Sequence, residues 1–391
     1  MSDPRTPKLS IIYFTVFVDL IGFGIIIPIL PLYAKELGTT FGQNGWLLGI
    51  YSLVQLVSSP LLGRISDRAG RRPVLLLSIL GGAAGYFLMG WAESVALLFA
   101  ARVIQGFTGG NISTAQAYIA DVTTQEERSR AMAVVGACFG LGFIIGPAIA
   151  GWMSAISMGA PFYFAGCLSL FNSLLIYAFL PESLKEPVKQ HEKLSFTEVF
   201  RSSPKFSLVT ASYFFVIMGF SVMTANYTLF TEHQFGFNAS ENGYLFAYIG
   251  LILTLMQGAV VRRVLKGHND RPAALFGGLV LLIGLVALPY SGGLPGLLLA
   301  SGLISAGYSF ISPALMGLAS KLADARAQGR AIGVLQGGAS LGRFVGPVLG
   351  GWLLSFDAHS HFGRLSFFAA AAILGLAVCL IWQLPGPSEK L

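Results

Sequence analysis

Long apolar runs separated by short polar ones recur along the whole chain. A bilayer crossing takes about 20 mostly apolar residues. Twelve stretches have that length, at roughly 8–33, 43–63, 73–92, 95–120, 130–154, 160–180, 206–230, 242–262, 272–291, 294–320, 330–355 and 362–384. The pattern predicts an all-α integral membrane protein of twelve transmembrane helices. The longest polar stretch, about 181–205, is rich in Lys, Glu, Ser and Pro and falls near the middle. It reads as a cytoplasmic linker between two six-helix bundles, 1–180 and 206–391.

Composition agrees with the pattern. Only 11% of the 391 residues are charged and 54% are hydrophobic, against about 25% charged in a typical soluble domain. Such a chain cannot cover a water-facing surface. The 48 glycines suit closely packed membrane helices. The net charge of +7 does not point to nucleic acid, because the basic residues sit in short loops. With both termini in the cytoplasm, 21 of the 25 Lys and Arg fall on that side. The outer loops hold two, Lys35 and Arg364, and two more, Arg102 and Arg343, lie within spans. The bias predicts inside termini and an even number of spans. The first apolar run is too long for a signal peptide, so no cleaved leader is expected. Cys138, Cys167 and Cys379 lie in apolar runs and read as small packing residues. No metal spacing, phosphate loop or nucleophile–base set appears, so no enzyme is expected. His359 and His361 read as a solvated loop.

A shift of 200 residues aligns 130–152 with 330–352. Arg130, Val134, Gly142, Gly146, Pro147, Gly151 and Trp152 recur as Arg330, Val334, Gly342, Gly346, Pro347, Gly351 and Trp352. Asn44-Gly45 likewise recurs as Asn242-Gly243. The two bundles are therefore expected to be pseudo-symmetric, as in transporters with a solute site between repeats.

Four motifs carry candidate chemistry. The loop after the second span, Gly63-Arg64-Ile65-Ser66-Asp67-Arg68-Ala69-Gly70-Arg71-Arg72, packs four arginines around one acid; Asp67 can bridge the arginines and helix N-termini. In the fourth span Arg102, Gln105, Gly106, Gly109, Ser113 and Gln116 form one polar or small stripe. A charge there faces a cavity or a partner, or snorkels outward. Asp19 lies roughly 16 Å into the bilayer at 1.5 Å per residue. It must carry a proton or find a cation, which suits a proton-exchanging residue and equally a structural pair with Arg102 or Arg343. In spans five and eleven, Gly142, Gly146 and Pro147, echoed by Gly342, Gly346 and Pro347, are helix-packing positions. Arg343 has no counterpart in the fifth span, where Phe143 stands.

The loop matches Gly-x4-Asp-Arg-x-Gly-Arg-Arg, and Arg102-Val103-Ile104-Gln105-Gly106 matches Arg-x-x-Gln-Gly. With Gly136–Pro147 as a glycine-rich antiporter-type segment and Asp19–Pro28 as a first helix, the chain resembles the drug:proton antiporters of the major facilitator superfamily, the group of the tetracycline and multidrug exporters. The resemblance implies alternating access in the cytoplasmic (inner) membrane, driven by a proton gradient with no cofactor. It implies small-molecule substrate, protons and lipids as partners, and a monomer. Asp19 would load and release the proton, and Arg102 would tune its pKa and help hold the inward or outward state. A cavity from spans 1, 4, 7 and 10 would hold substrate, with Phe23, Gln105, Asn111, Gln116, Asn226, Tyr227, Tyr308, Gln336 and Arg343 as candidate contacts and Gln55 and Gln257 as alternatives. Gly63, Asp67, Arg68, Gly70, Arg71 and Arg72 would form a conformational latch. One departure matters: spans three and nine lack the acids of tetracycline exporters, against a metal chelate as substrate. An anionic metabolite or lipid-like solute held by Arg343 is the competing carrier reading, and a non-transporting receptor the competing class.

Overall fold

The computed structural model describes residues 9–184, 203–261, 263, 270–322, 328–357 and 362–384. Most of the expected linker, the loop cations Arg262 and Lys266, and both His359 and His361 lie outside them. The described chain is helical, in the order α1 (Leu9–Glu36), α2 (Phe41–Ala69), α3 (Arg71–Gly90), α4 (Val95–Thr108), α5 (Asn111–Val122), α6 (Gln125–Ser154), α7 (Ala160–Phe179), α8 (Pro204–Phe235), α9 (Ala239–Leu255), α10 (Asp270–Ala287), α11 (Leu294–Leu322), α12 (Gln328–Phe356) and α13 (Arg364–Trp382). Helix α9 runs on through a π turn, Met256–Val261.

Among the described residues, eleven spans are long and apolar enough to cross a membrane, with α4 and α5 counted as one. Helix α12 is not among them, since glycines, polar residues and Arg343 dilute its apolar run. The protein is a multi-pass membrane protein. All five tryptophans, Trp46, Trp91, Trp152, Trp352 and Trp382, are exposed and sit near helix ends. That is where amphipathic rings meet the membrane–water boundary.

The fourth span departs from the expected single helix. Gly109 and Gly110 are non-helical and divide it into α4 and α5. Each glycine costs about 1 kcal/mol relative to alanine in a helix, so two in succession are a weak point. In a bilayer a freed carbonyl needs another donor. Helix α2 supplies two: Ser58 Oγ donates to the Gly106 carbonyl at 2.8 Å, and Gln55 Nε2 to the Gly109 carbonyl at 2.8 Å.

By packing, the chain divides into two units that are not contiguous in sequence. Unit 1 comprises Met1–Thr39, Ile50–His191 and Phe237–Tyr248; unit 2 comprises Thr40–Gly49, Glu192–Gly236 and Ile249–Leu391. In unit 1, α1 packs on α6 and α7, and α3 on α4 and α7. In unit 2, α8 packs on α12 and α13, and α10 on α11 and α13. These are the same neighbours, one repeat later. The core of unit 1 gathers Ile12, Val16 and Leu20 of α1 with Leu75, Ile79, Tyr118, Ile119, Val135 and Ile176. Cys138 joins this core, whereas Cys167 and Cys379 are exposed rather than packed inside.

The repeated glycines are close-approach points. A Cβ on Gly146 would lie 2.6 Å from the Ile21 carbonyl, and one on Gly346 2.6 Å from the Met218 carbonyl. Gly142 and Gly342 likewise abut Leu20 of α1 and Phe214 of α8. The Asn-Gly echoes meet the other echo. Within unit 2, Gly45 lies on Gly351 and the Pro347 carbonyl; within unit 1, Gly243 lies on Gly151 and the Pro147 carbonyl.

Candidate functional site

The first helix brings Asp19, Phe23 and Ile26 to one face, at i, i+4 and i+7. They line a cleft of about 370 Å³, mouth included, with Tyr51, Ser78, Gly82, Tyr86, Arg102, Gln105, Thr108, Gly109 and Asn111. All belong to unit 1. The break in the fourth span shapes this cleft: Asn111, the first residue of α5, projects to α1, and its Nδ2 donates to Asp19 Oδ1 at 2.8 Å. The positive end of α5 thus points toward a carboxylate. Thr15, one turn before Asp19, turns elsewhere and bonds Asn172 of α7 at 3.1 Å.

Arg102 is buried at 3% exposure, so it does not snorkel. Its Nη1 donates to Gln105 Oε1 at 3.1 Å, and its guanidinium sits 4.6 Å from the Tyr51 ring centre. An arginine over an aromatic face gains about 2 kcal/mol when desolvated. Tyr51 also accepts from Gln55 Nε2 at 3.0 Å and leans on Phe23, centroids 6.4 Å apart. Asp19 forms no ion pair among the described residues; its recorded partner is an amide. The site can therefore hold a carboxyl and a guanidinium in one apolar neighbourhood with neutral side chains interposed.

Of the expected residues, the structure brings together Asp19, Phe23, Arg102, Gln105 and Asn111. Gln116 is exposed, outside the cleft. The unit 2 candidates divide. Asn226 is buried against Gly350 of α12, and fully buried Tyr227 hydrogen-bonds Ser301 of α11. Tyr227 thus ties α8 to α11, and Asn226 lies at the seam of α8 and α12. Tyr308 stacks on Phe220 at 4.1 Å, and Arg343, half-buried, donates to Ser340 Oγ at 3.0 Å. Gln336 is half-buried. Sequence reasoning missed Tyr51, Ser78 and Tyr86. A signal existed: Ser78, Gly82 and Tyr86 fall at i, i+4, i+8, and Tyr51, Gln55 and Ser58 at i, i+4, i+7, each a polar or small stripe on a span.

The arginine-rich loop ties elements of unit 1. Gly70 turns at φ 107°, a conformation open to glycine, and α3 starts at the next residue. Arg71 holds Asp67 at 2.5 Å, Asp121 of α5 at 3.0 Å and Ser66 at 3.0 Å. Glu182, just past α7, accepts from the backbone N–H of Arg71 at 2.8 Å and Arg72 at 3.1 Å, capping α3. Arg72 donates to the Tyr177 carbonyl at 2.5 Å. The stretch before α10 lacks the glycine pattern in sequence, but the first residues of α10 make comparable contacts. Asp270 pairs with Lys321 at the end of α11, the Arg71–Asp121 bridge with its charges exchanged. Arg271 donates to the Trp382 carbonyl at 2.6 Å, as Arg72 does to Tyr177. Gly63 is partly exposed, and Arg68 is exposed.

Comparison with known proteins gives this arrangement its lineage. The family model of the Major Facilitator Superfamily matches residues 12–294 and 266–391. The chain belongs to this superfamily. Members are transporters rather than enzymes, and this chain is a superfamily transporter. It is 33% identical to the tetracycline resistance protein, class C, of Escherichia coli over 391 residues, 95% of each chain. It is 28% identical to multidrug resistance protein 2 of Bacillus subtilis (strain 168), over 94% of this chain and 93% of that one. A solved superfamily-like fold, a bacterial homolog of the human lysosomal transporter Spinster in an inward-facing, unoccupied conformation, matches with a TM-score of 0.81 at 15% identity, covering 96% of each chain.

Proposed function

We propose that this transporter exports amphipathic, drug-like small molecules by alternating access, driven by the proton gradient across the cytoplasmic membrane, with both termini in the cytoplasm. It works as a monomer without a cofactor. One observation carries the reading: a membrane carboxyl, Asp19, shares a cleft with a buried arginine yet takes its hydrogen bond from Asn111. A carboxyl locked in an ion pair would hold its charge through the cycle. One held by a neutral amide can gain and lose a proton without breaking a salt bridge. The similarity to resistance proteins over nearly the whole chain supports drug-like substrates. The absence of acids from the spans at 73–92 and 272–291 argues against a metal chelate.

The test uses proteoliposomes with an acidic interior and a lipophilic cationic dye. Wild type accumulates dye against its gradient. Asp19→Asn is expected to lose that accumulation while keeping gradient-free dye counterflow. Accumulation at the wild-type level in Asp19→Asn removes the proton assignment.

A second reading has one specific observation behind it. Arg343 carries a charge into the membrane with Ser340 as its recorded hydrogen-bond partner and no ion pair among the described residues. An anionic amphiphile would then be the solute, with Tyr308 and Phe220 stacking on its apolar part. Arg343→Ala should abolish uptake of an anionic dye and spare a cationic one; equal retention of both removes this reading.

A further inference from the structure

Three residues that line the cleft in unit 1 each carry a buried polar atom without a hydrogen-bond partner: Ser78 Oγ, Gln105 Nε2 and Asn111 Oδ1. Their side chains come from α3, α4 and α5 and are 1%, 5% and 6% exposed. An unmet buried polar atom is costly, so three lining one cleft call for an occupant that meets them. The charges of the site decide which end each amide presents. Arg102 donates to Gln105 Oε1, which leaves the donor end, Nε2, for the cleft. Asp19 accepts from Asn111 Nδ2, which leaves the acceptor end, Oδ1. Both ions are thereby covered by amides, and the cleft offers one donor, one acceptor and a hydroxyl that can be either.

We propose that this cleft is a subsite for an uncharged head group carrying both an acceptor and an N–H or O–H donor, a primary carboxamide or its equivalent, at one end of the transported amphiphile. The carbonyl oxygen of such a group accepts from Gln105 Nε2, and its N–H donates to Asn111 Oδ1. The apolar remainder lies against Phe23 and Ile26. The enclosed part is small, with room for the polar head group alone, so the adjoining ring lies in the open mouth. A tertiary amide or ester has the acceptor and lacks the donor, so it leaves Asn111 Oδ1 unmet. The subsite also couples to the proton site, since Asn111 touches Asp19 with one end of its amide and the ligand with the other. The inference rests on the reading that the Asp19 cleft lies on the transport path.

The test measures equilibrium binding of 2-naphthamide, its N,N-dimethyl amide and methyl 2-naphthoate to the purified full-length protein in nanodiscs. Wild type is expected to hold 2-naphthamide about tenfold more tightly than the other two, the worth of one buried hydrogen bond. In Asn111→Ala that ratio should fall toward one, while Gln105→Met, which removes the contact to the carbonyl that all three probes share, should weaken all three and keep the ratio. An unchanged ratio in Asn111→Ala, the mark of a merely structural role, counts against the subsite. Equal affinity for all three probes in wild type, or binding of none, means that water alone serves these atoms and overturns the proposal. Asp19→Asn separates the two readings. Lost dye accumulation in that variant with no probe discrimination in wild type sinks the subsite and leaves the proton assignment standing. Unchanged accumulation sinks the assignment itself.

Discussion

The same substitution at two points of α12 should change stability in opposite directions. A Cβ at Gly346 would sit 2.6 Å from the Met218 carbonyl oxygen and 2.7 Å from Ser221 Cβ, where ordinary contact begins at 3.4 Å. The obstacle is the backbone of α8, so no side chain can swing aside. Gly346→Ala must push the helices apart by about 0.8 Å, the shortfall against that 3.4 Å contact. A gap of 0.5–1 Å forfeits roughly a quarter to a half of each dispersion contact along the seam. Overpacking of this kind costs about 1–3 kcal/mol. At Gly338, eight residues earlier, the nearest atom to an added Cβ is Thr210 Cγ2 at 3.7 Å. There the substitution fits, and the helix gains up to about 1 kcal/mol from alanine's greater propensity. The repeat offers the same pair in unit 1. Gly146 meets the Ile21 carbonyl at 2.6 Å, while Gly136 has nothing within 4 Å. Thermal unfolding of the purified variants, followed by loss of the monodisperse peak in size-exclusion chromatography, reads all four. Gly146→Ala and Gly346→Ala should melt below wild type, and Gly136→Ala and Gly338→Ala at or above it. If Gly346→Ala melts no lower than Gly338→Ala, the close approach of α8 and α12 is wrong.

Lys321→Ala should leave buried Asp270 without its cation and cost about 3–5 kcal/mol; the double exchange Asp270→Lys with Lys321→Asp should recover much of the lost thermal stability, since unit 1 carries the bridge in that polarity. Tyr227→Phe should cost about 1–3 kcal/mol by stranding buried Ser301, while gradient-driven dye accumulation by the surviving folded protein stays at the wild-type level. Glu182→Gln should lower the melting temperature through a weaker cap on α3, by about 1 kcal/mol, with little change in probe binding at the Asp19 cleft.

Span count, the repeat and the family were legible in the sequence because each rests on a one-dimensional signal. Apolar length reports a crossing, and Arg, Pro and Trp at a 200-residue interval report duplication. The roles of Gly142, Gly146, Gly342 and Gly346 were legible for the same reason, since a missing Cβ has one use in a tight seam. The partners of Asp19 were not. Two arginines were the expected candidates, because charge dominates a reading made without distances. The actual donor, Asn111, reaches Asp19 because two glycines break the span just before it, and propensity alone does not say whether tertiary donors will hold such a break open. Gln55 and Ser58 do so here. Asn226 and Tyr227 show the reverse limit. An amide and a phenol in a span read alike whether they face a cavity or a neighbouring helix.

The way the units share helices has a practical consequence. Unit 1 includes Phe237–Tyr248, and unit 2 includes Thr40–Gly49. Severing the chain anywhere in the polar stretch after α7 therefore yields two fragments, neither of which contains a whole packing unit. The first would carry the start of α2 with Gly45 stripped of Gly351, and the second would carry Gly243 stripped of Gly151. Either half expressed alone is therefore expected to be less stable than the two together. Co-expression, rather than expression of one half, is the arrangement in which split versions of it should be sought.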